Sequence, residues 1–194
     1  MTFWFYRSVD TAAFETLCNL GDPYNTGLYH WVGLQGSDFI FLDIGGTSAT
    51  STVTVQTGLW HFLAIVRGAA TNRTDVYLDG LASPVVQVTA SLSSNFRFEF
   101  GGAGDPAQDP LSGRIAGIKW WDAVLGQEEL EIERWFYLPV RRANLQGAYP
   151  CFSGTVGENA QDYSGLGRTL TLGGTLTFES GPPPPLLQYP GVPT

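Results

Sequence analysis

Apolar and polar positions along this chain alternate mostly with a period of two, which predicts strands with opposite faces in different surroundings. The clearest case is Phe96-Arg97-Phe98-Glu99-Phe100, with three rings on one face and two charges on the other. Trp60 to Arg67 and Asp75 to Gly80 flank a polar loop, Gly68 to Thr74, and read as a hairpin. Asp79-Gly80 predicts a tight reversal into Leu81 to Val88, with glycine taking the positive φ. Thr2 to Arg7 carries Phe3 and Phe5 on one face and Trp4 and Tyr6 on the other, so it should be a strand covered on both sides. Glu15 to Leu20 and Gly27 to Leu34 pair across a loop of turn formers, and Phe39 to Ile44 is a further apolar strand. Gly45 to Ser51 reads as a small-residue loop before an exposed strand, Thr52 to Gln56. Between Leu111 and Leu125, strict alternation groups Ala116, Ile118 and Trp120 on one face and Lys119 and Trp121 on the other. Gln127 to Leu130 reads as a helical turn with acids at its favourable end, extending towards Phe136.

Short strands separated by frequent turns predict an all-β sandwich of two antiparallel sheets with one short helix. Composition agrees: 194 residues suit one core, and 24 glycines, 12 prolines and only 14% charged residues leave little material for long helices. The net charge of -8 would repel a phosphate backbone, which excludes nucleic acid as a partner. No apolar run is long enough to cross a bilayer, so membrane insertion is not expected, and no signal-peptide pattern follows Met1. Cys18 and Cys151 are the only cysteines; a bridge closing a long loop and two buried thiols both remain open.

Taken together, Trp60-His61, Val76-Tyr77-Leu78-Asp79-Gly80, Ser112-Gly113-Arg114-Ile115, Lys119-Trp120-Trp121 and Leu125 with Glu128-Glu129-Leu130 form an ordered set. This set resembles the laminin G-like branch of the concanavalin A-like lectin/glucanase superfamily, over roughly residues 2–135. The resemblance implies a jelly roll and leaves activity open. The expected organisation is a jelly-roll core over 1–138, a segment over 139–180 packing on the same or a neighbouring sandwich, and a Pro-rich extended arm over 181–194. Within the second segment, Asp162-Tyr163-Ser164-Gly165-Leu166-Gly167-Arg168 is similar to a phrase that laminin G-like proteins carry near the start of the domain. An order so rotated is similar to that of bacteriophage structural proteins. The arm, with Pro182, Pro183, Leu186, Leu187 and Tyr189, reads either as a strap over another surface or as a tail.

The chemistry that the resemblance implies can be weighed residue by residue. The glucanase branch uses two glutamates on one strand, and the corresponding run here, Phe96 to Phe100, holds Glu99 alone. The acids at Glu128, Glu129, Glu131 and Glu133 read as a solvated helix face, so the chain is not expected to be an enzyme. With only His30 and His61, triads and zinc sites have little to draw on. His30 reads as cross-strand packing, and His61 as a partly solvated sheet-face residue. Calcium is the cofactor that the resemblance suggests, with Asp22, Asn25, Asp105 and Asp109 as loop oxygen donors. Tyr24, Trp31 and Trp121 are the candidate aromatic platforms for a sugar, although packing beneath the following helix is the more economical role for Trp121.

The function expected from these readings is a non-catalytic structural or adhesive module. Its setting would be a virion surface, as a capsid decoration or fibre component, or another extracellular one. Its partners would be further copies of itself, other virion proteins or cell-surface glycans. A free carbohydrate-binding lectin is the alternative, and a glycoside hydrolase the most distant one.

Overall fold

The computed structural model describes residues 1–11, 13–21, 29–36, 38–80, 82–91, 98–102, 109–151, 161–171 and 181–182. Their strands are β1 (Thr2–Arg7), β2 (Glu15–Gly21), β3 (Tyr29–Gln35), β4 (Phe39–Ile44), β5 (Thr47–Thr54) and β6 (Trp60–Gly68). They continue with β7 (Arg73–Leu78), β8 (Val86–Thr89), β9 (Phe98–Phe100) and β10 (Gly113–Trp121), then the helix α1 (Gln127–Arg134) and β11 (Leu145–Tyr149). One sheet has six strands in the order β11-β10-β1-β6-β7-β8, and the other five in the order β5-β4-β3-β2-β9. All pairs are antiparallel, as a jelly-roll sandwich requires.

The inner faces meet through Phe3 and Phe5 of β1, Val32 and Leu34 of β3, Ile40 and Leu42 of β4, and Leu63 of β6, all fully buried. The phenylalanine alternation in β9 points inwards. Phe100 meets Phe3 edge-on at 5.7 Å, and Phe98 stacks on Trp120 at 4.8 Å. Phe96 lies outside the described residues. A second apolar layer, with Phe62, Ala64, Trp121, Leu125 and Leu130, fills the space between the outer face of the six-stranded sheet and α1. Both faces of β1 are therefore covered, as its two rows of aromatic residues predict, with Trp4 against Phe62 on the helix side.

Alternation misplaces residues where the backbone departs from a regular pleat. Ala116 pairs with Trp4 on the outer face, opposite to Ile118, because Gly117 between them has φ 62° and forms a bulge. The reversal after β7 has its positive φ on Asp79 (53°) rather than on Gly80, and β8 begins only at Val86. The stretch expected to be a loop, Gly45 to Ser51, is mostly strand. Gly45 and Gly46, at φ 57° and 88°, make the turn alone, and β5 runs from Thr47. Beyond α1, β11 pairs with β10, and Leu170 packs against the inner core. Cys18 and Cys151 are not joined in a disulfide, and burial pushes the pKa of both thiols up to about 12.

The two histidines occupy environments with opposite electrostatic demands. His30 is buried among apolar neighbours, with neither ring nitrogen partnered, and burial together with the Arg67 and amino-terminal charges lowers it to about 3. His61, expected to be partly solvated, is buried instead. Its Nδ1 faces Asp79 Oδ2 at 2.6 Å and its Nε2 faces the Gln56 carbonyl at 2.9 Å. Two acceptors need two N–H donors, which only the imidazolium has. Burial pulls the His61 pKa down, but the hydrogen bonds to Asp79 and Gln56 and the Asp79 charge outweigh it and raise the pKa above 6.5. The contributions to stability then run in opposite directions. The His30 contribution is complete above pH 6.5 and is lost as pH falls towards 3, whereas that of His61 is complete below 6.5 and is lost as pH rises through its raised value. Urea unfolding across pH should show the alkaline decline flattened in His61→Gln and retained in His30→Leu; an unchanged decline in His61→Gln would remove this assignment.

Candidate functional site

The outer face of the five-stranded sheet carries a row of aromatic and polar side chains. Cross-strand register places Glu99, Asn19, Trp31, Asp43 and Ser48 in one row across β9, β2, β3, β4 and β5. The adjacent row holds Thr16, Gly33, Phe41 and Thr50. Since paired residues project to the same side of a sheet, each row is a continuous strip of side chains.

Trp31 lies down on this face because Gly33 beside it has no side chain. A Cβ at Gly33 would stand 3.2 Å from Trp31 Nε1 and 2.6 Å from the Glu15 carbonyl oxygen. The indole edge crosses the vacant position, and Nε1 donates to Thr16 Oγ1 at 3.1 Å. Phe14 and Phe41 support the ring, each with its centroid 5.7 Å away, and leave Trp31 half-buried. A ring held in this way is a rigid apolar platform whose orientation is set before any ligand arrives.

Asn19 stands beside the platform at 1% exposure, and neither its amide nitrogen nor its amide oxygen has a hydrogen-bond partner. A buried polar group left unpaired costs about 1–3 kcal/mol, so this amide is an unusual expense for a structural residue. Asp43 on the other side of Trp31 is half-buried and accepts the Gly46 N–H at 2.9 Å. Thr50 donates to Gln35 at 3.1 Å and extends the polar surface. The Asn19 amide is closed off beneath the surface, so what the face presents is a fixed ring beside the half-buried Asp43 and the exposed Ser48 and Thr50.

A laminin G family model described as the concanavalin A-like lectin/glucanases superfamily matches residues 1–131. The chain belongs to that superfamily. Among solved structures, it is similar to a candidate carbohydrate binding protein from Bacteroides ovatus, with TM-score 0.61 and 15% identity over 86% of this chain and 49% of that one. It thus spans about half the length of that protein. It is also similar to the sialidase CBM40 of Ruminococcus gnavus bound to alpha2,3 sialyllactose, with TM-score 0.50 and 12% identity over 66% of this chain and 79% of that one. The heptameric SAP-like pentraxin from Limulus polyphemus gives TM-score 0.50 and 12% identity over 66% of this chain and 65% of that one. At such identities the likeness concerns the fold. No curated protein matches the sequence.

For a concanavalin A-like lectin/glucanase member, a pair of carboxylates is the feature to test. Glu99 and Asp43 share the candidate face but are three strand spacings apart, roughly 14 Å. Retaining and inverting glycosidases hold their carboxyl groups within about 5–10 Å, closer than these two backbone positions stand.

The sequence-derived candidates are distributed as follows. Trp31 is on the face. Trp121 is not a platform: it is 7% exposed beneath α1, with Nε1 donating to the Arg141 carbonyl at 2.8 Å. Asp109 is half-buried at φ 45°, and its carbonyl accepts the Thr16 N–H at 2.8 Å. Tyr24, Asp22, Asn25 and Asp105 lie outside the described residues, and among the described residues no cluster of three or more metal-ligating side chains forms. In the arm, Pro182 is buried and its carbonyl accepts the Tyr137 hydroxyl, while Pro183, Leu186, Leu187 and Tyr189 lie outside the described residues.

Sequence reasoning missed Asn19 and Gly33. Asn19 sits inside the apolar run Leu17-Cys18-Asn19-Leu20, and Gly33 two residues after Trp31 marks the space for the indole. A lone amide in a buried strand, and a tryptophan followed two positions later by glycine, were the available signals.

Proposed function

We propose that this protein is a non-catalytic carbohydrate-binding and adhesive module that receives a sugar on the outer face of its five-stranded sheet. The observation that carries this reading is the Trp31 indole laid across Gly33 beside the Asp43, Ser48 and Thr50 side chains. The ring offers apolar area to the C–H side of a pyranose, and the Asp43 carboxylate with the Ser48 and Thr50 hydroxyls offers polar partners to the sugar hydroxyls. The carbohydrate-binding descriptions of the Bacteroides ovatus and Ruminococcus gnavus structures support the reading through their shared fold. The wide separation of Glu99 and Asp43 supports binding without hydrolysis.

Removing the ring tests it. On an immobilised glycan panel, Trp31→Ala is expected to lower retention at least about tenfold, equivalent to about 1.4 kcal/mol, while Trp31→Phe keeps part of it. Far-ultraviolet circular dichroism of both variants should match the parent. Undiminished binding by folded Trp31→Ala would refute the assignment of the face.

The setting we favour is extracellular, on a particle surface such as a virion. What supports assembly there is the apolar surface around α1, where Val124, Ile132, Trp135, Leu138 and Val140 are exposed. Among the described residues no helix is long and apolar enough to cross a membrane.

A further inference from the structure

We propose that the proline-rich arm, residues 183–194, lies on its own chain's apolar surface at the C-terminal end of α1 and covers it in the free protein. Four exposed side chains form that surface. Ile132 is 48% exposed, Trp135 37%, Leu138 44% and Val140 49%. Ile132 and Trp135 are three positions apart and share one side of the helix. The Val140 N–H donates to Glu133 Oε1 at 2.9 Å, which returns the chain carrying Leu138 and Val140 to the same end of α1. Apolar side chains gathered in this way mark a surface that something covers.

The arm starts beside it. Tyr137, between Trp135 and Leu138 in the chain, donates its hydroxyl to the carbonyl of the buried Pro182. A Cβ at Gly181 would stand 3.7 Å from the same hydroxyl and 4.0 Å from Ala116 Cβ, on the outer face of β10. This anchor sets the point from which residues 183–194 depart. Extended as polyproline II, at about 3.1 Å per residue, the arm would carry Leu186 about 12 Å and Tyr189 about 22 Å beyond Pro182. The eight residues of α1, at about 1.5 Å each, span about 12 Å. The apolar residues of the arm therefore have the reach of the patch.

The chemistry of the two also matches. No charged side chain occurs between Gly181 and Thr194, so docking there strips water from no ion of the arm. Pro183, Pro184 and Pro185 fix φ and reduce the entropy lost on docking, and proline-rich segments pack on exposed aromatic rings such as that of Trp135. A short tether gives the arm an effective concentration of about a millimolar at its own patch, so at micromolar protein it docks there before it finds a second copy. Assembly through α1 then requires the arm to leave, and that step alone rests on the assembly reading above.

Chymotrypsin cleavage after Leu186 and Leu187, followed by mass spectrometry on the whole chain at micromolar concentration, reads the docking. Ile132→Asp and Leu138→Asp should each speed that cleavage at least about tenfold, since a covered segment is cut only from its released state. Val53→Asp, at an exposed position of β5 in the other sheet, should leave the rate unchanged. Hydrogen exchange of α1 should stay level in the Ile132 and Leu138 variants, which separates release of the arm from unfolding of the helix. Equal cleavage rates in the parent and both variants would overturn the docking, as would acceleration seen only where α1 exchange also rises. Protection that grows with protein concentration, together with a dimer mass in light scattering, would overturn docking on the same chain. None of these variants alters Trp31, so the carbohydrate reading stands or falls separately.

Discussion

Replacing Arg7 by alanine is expected to destabilise the fold by about 3–5 kcal/mol, because it strands a buried carboxylate between the sheets. Arg7, at the end of β1, has no exposed surface, and its guanidinium binds Glu15 of β2 and Asp38 before β4. It also binds Asp10 at 3.1 Å. Glu15 is 1% exposed, and its second oxygen accepts the Ser112 N–H at 2.9 Å. One cation thus ties the six-stranded sheet to the five-stranded one. Without it, Glu15 keeps, among the described residues, one hydrogen bond and no counter-charge. Asp10, with its side chain 43% exposed, should cost under about 1 kcal/mol when changed to asparagine. Urea unfolding gives the measurement, and Arg7→Met with Glu15→Leu should recover much of the loss, since an apolar pair can replace a buried ion pair at little cost. A loss below about 1 kcal/mol in Arg7→Ala would show that the carboxylate finds water there and that the sheets do not depend on the cluster.

These arginine contacts were not visible in the sequence, although the sheets they join largely were. Strand positions follow from alternation and turn residues, both local, so β1, β2, β4, β6 and β7 begin and end close to where those patterns place them. Pairing across the chain has no local signature. Nothing around Arg7 announces Glu15 or Asp38, and nothing around Trp31 announces that Thr16 will hold its indole. Face assignment fails at Gly117 for a related reason, since one extra backbone position inverts Ala116 without changing the composition of the run. At the candidate site, Trp31 was legible as an aromatic residue in a strand. Its use as a platform depends on the empty space at Gly33 and on Thr16 one strand away, which only the register of β2 and β3 brings together. Trp121 is the converse case: its outward position and its packing beneath the following helix were both legible from the alternation of the run and the helix that follows it.

Those α1 contacts depend on Lys119, and Lys119→Met is expected to cost about 3–5 kcal/mol and to release the helix from the sheet. Lys119 is outward-facing on β10, yet it is 1% exposed, and its Nζ donates to Glu133 Oε2, the Glu133 carbonyl and the Phe136 carbonyl, each at 2.7 Å. Burial lowers its pKa, partly offset by the charge and hydrogen bond of Glu133. The carbonyls at the C-terminal end of a helix lack partners within it and carry the negative end of its dipole, so an ammonium there meets a neutralisation and a hydrogen-bonding need together. Glu133, also 1% exposed, uses its other oxygen to accept the N–H groups of Val140 at 2.9 Å and Arg141 at 2.6 Å. The pair therefore fixes both the helix end and the chain that leads into β11. Methionine retains most of the lysine stem but leaves the Glu133 carboxylate uncompensated under the helix. The apolar layer of Trp121, Leu125 and Leu130 would then open at its Glu133 end. Hydrogen exchange should show α1 losing protection ahead of β1, β6 and β10, and near-ultraviolet circular dichroism should report the loosened Trp121. Adding Glu133→Leu to Lys119→Met should restore protection, because no buried charge then remains. Unaltered exchange and stability in Lys119→Met would mean that the apolar layer alone holds α1, and that the ion pair adds nothing to its docking.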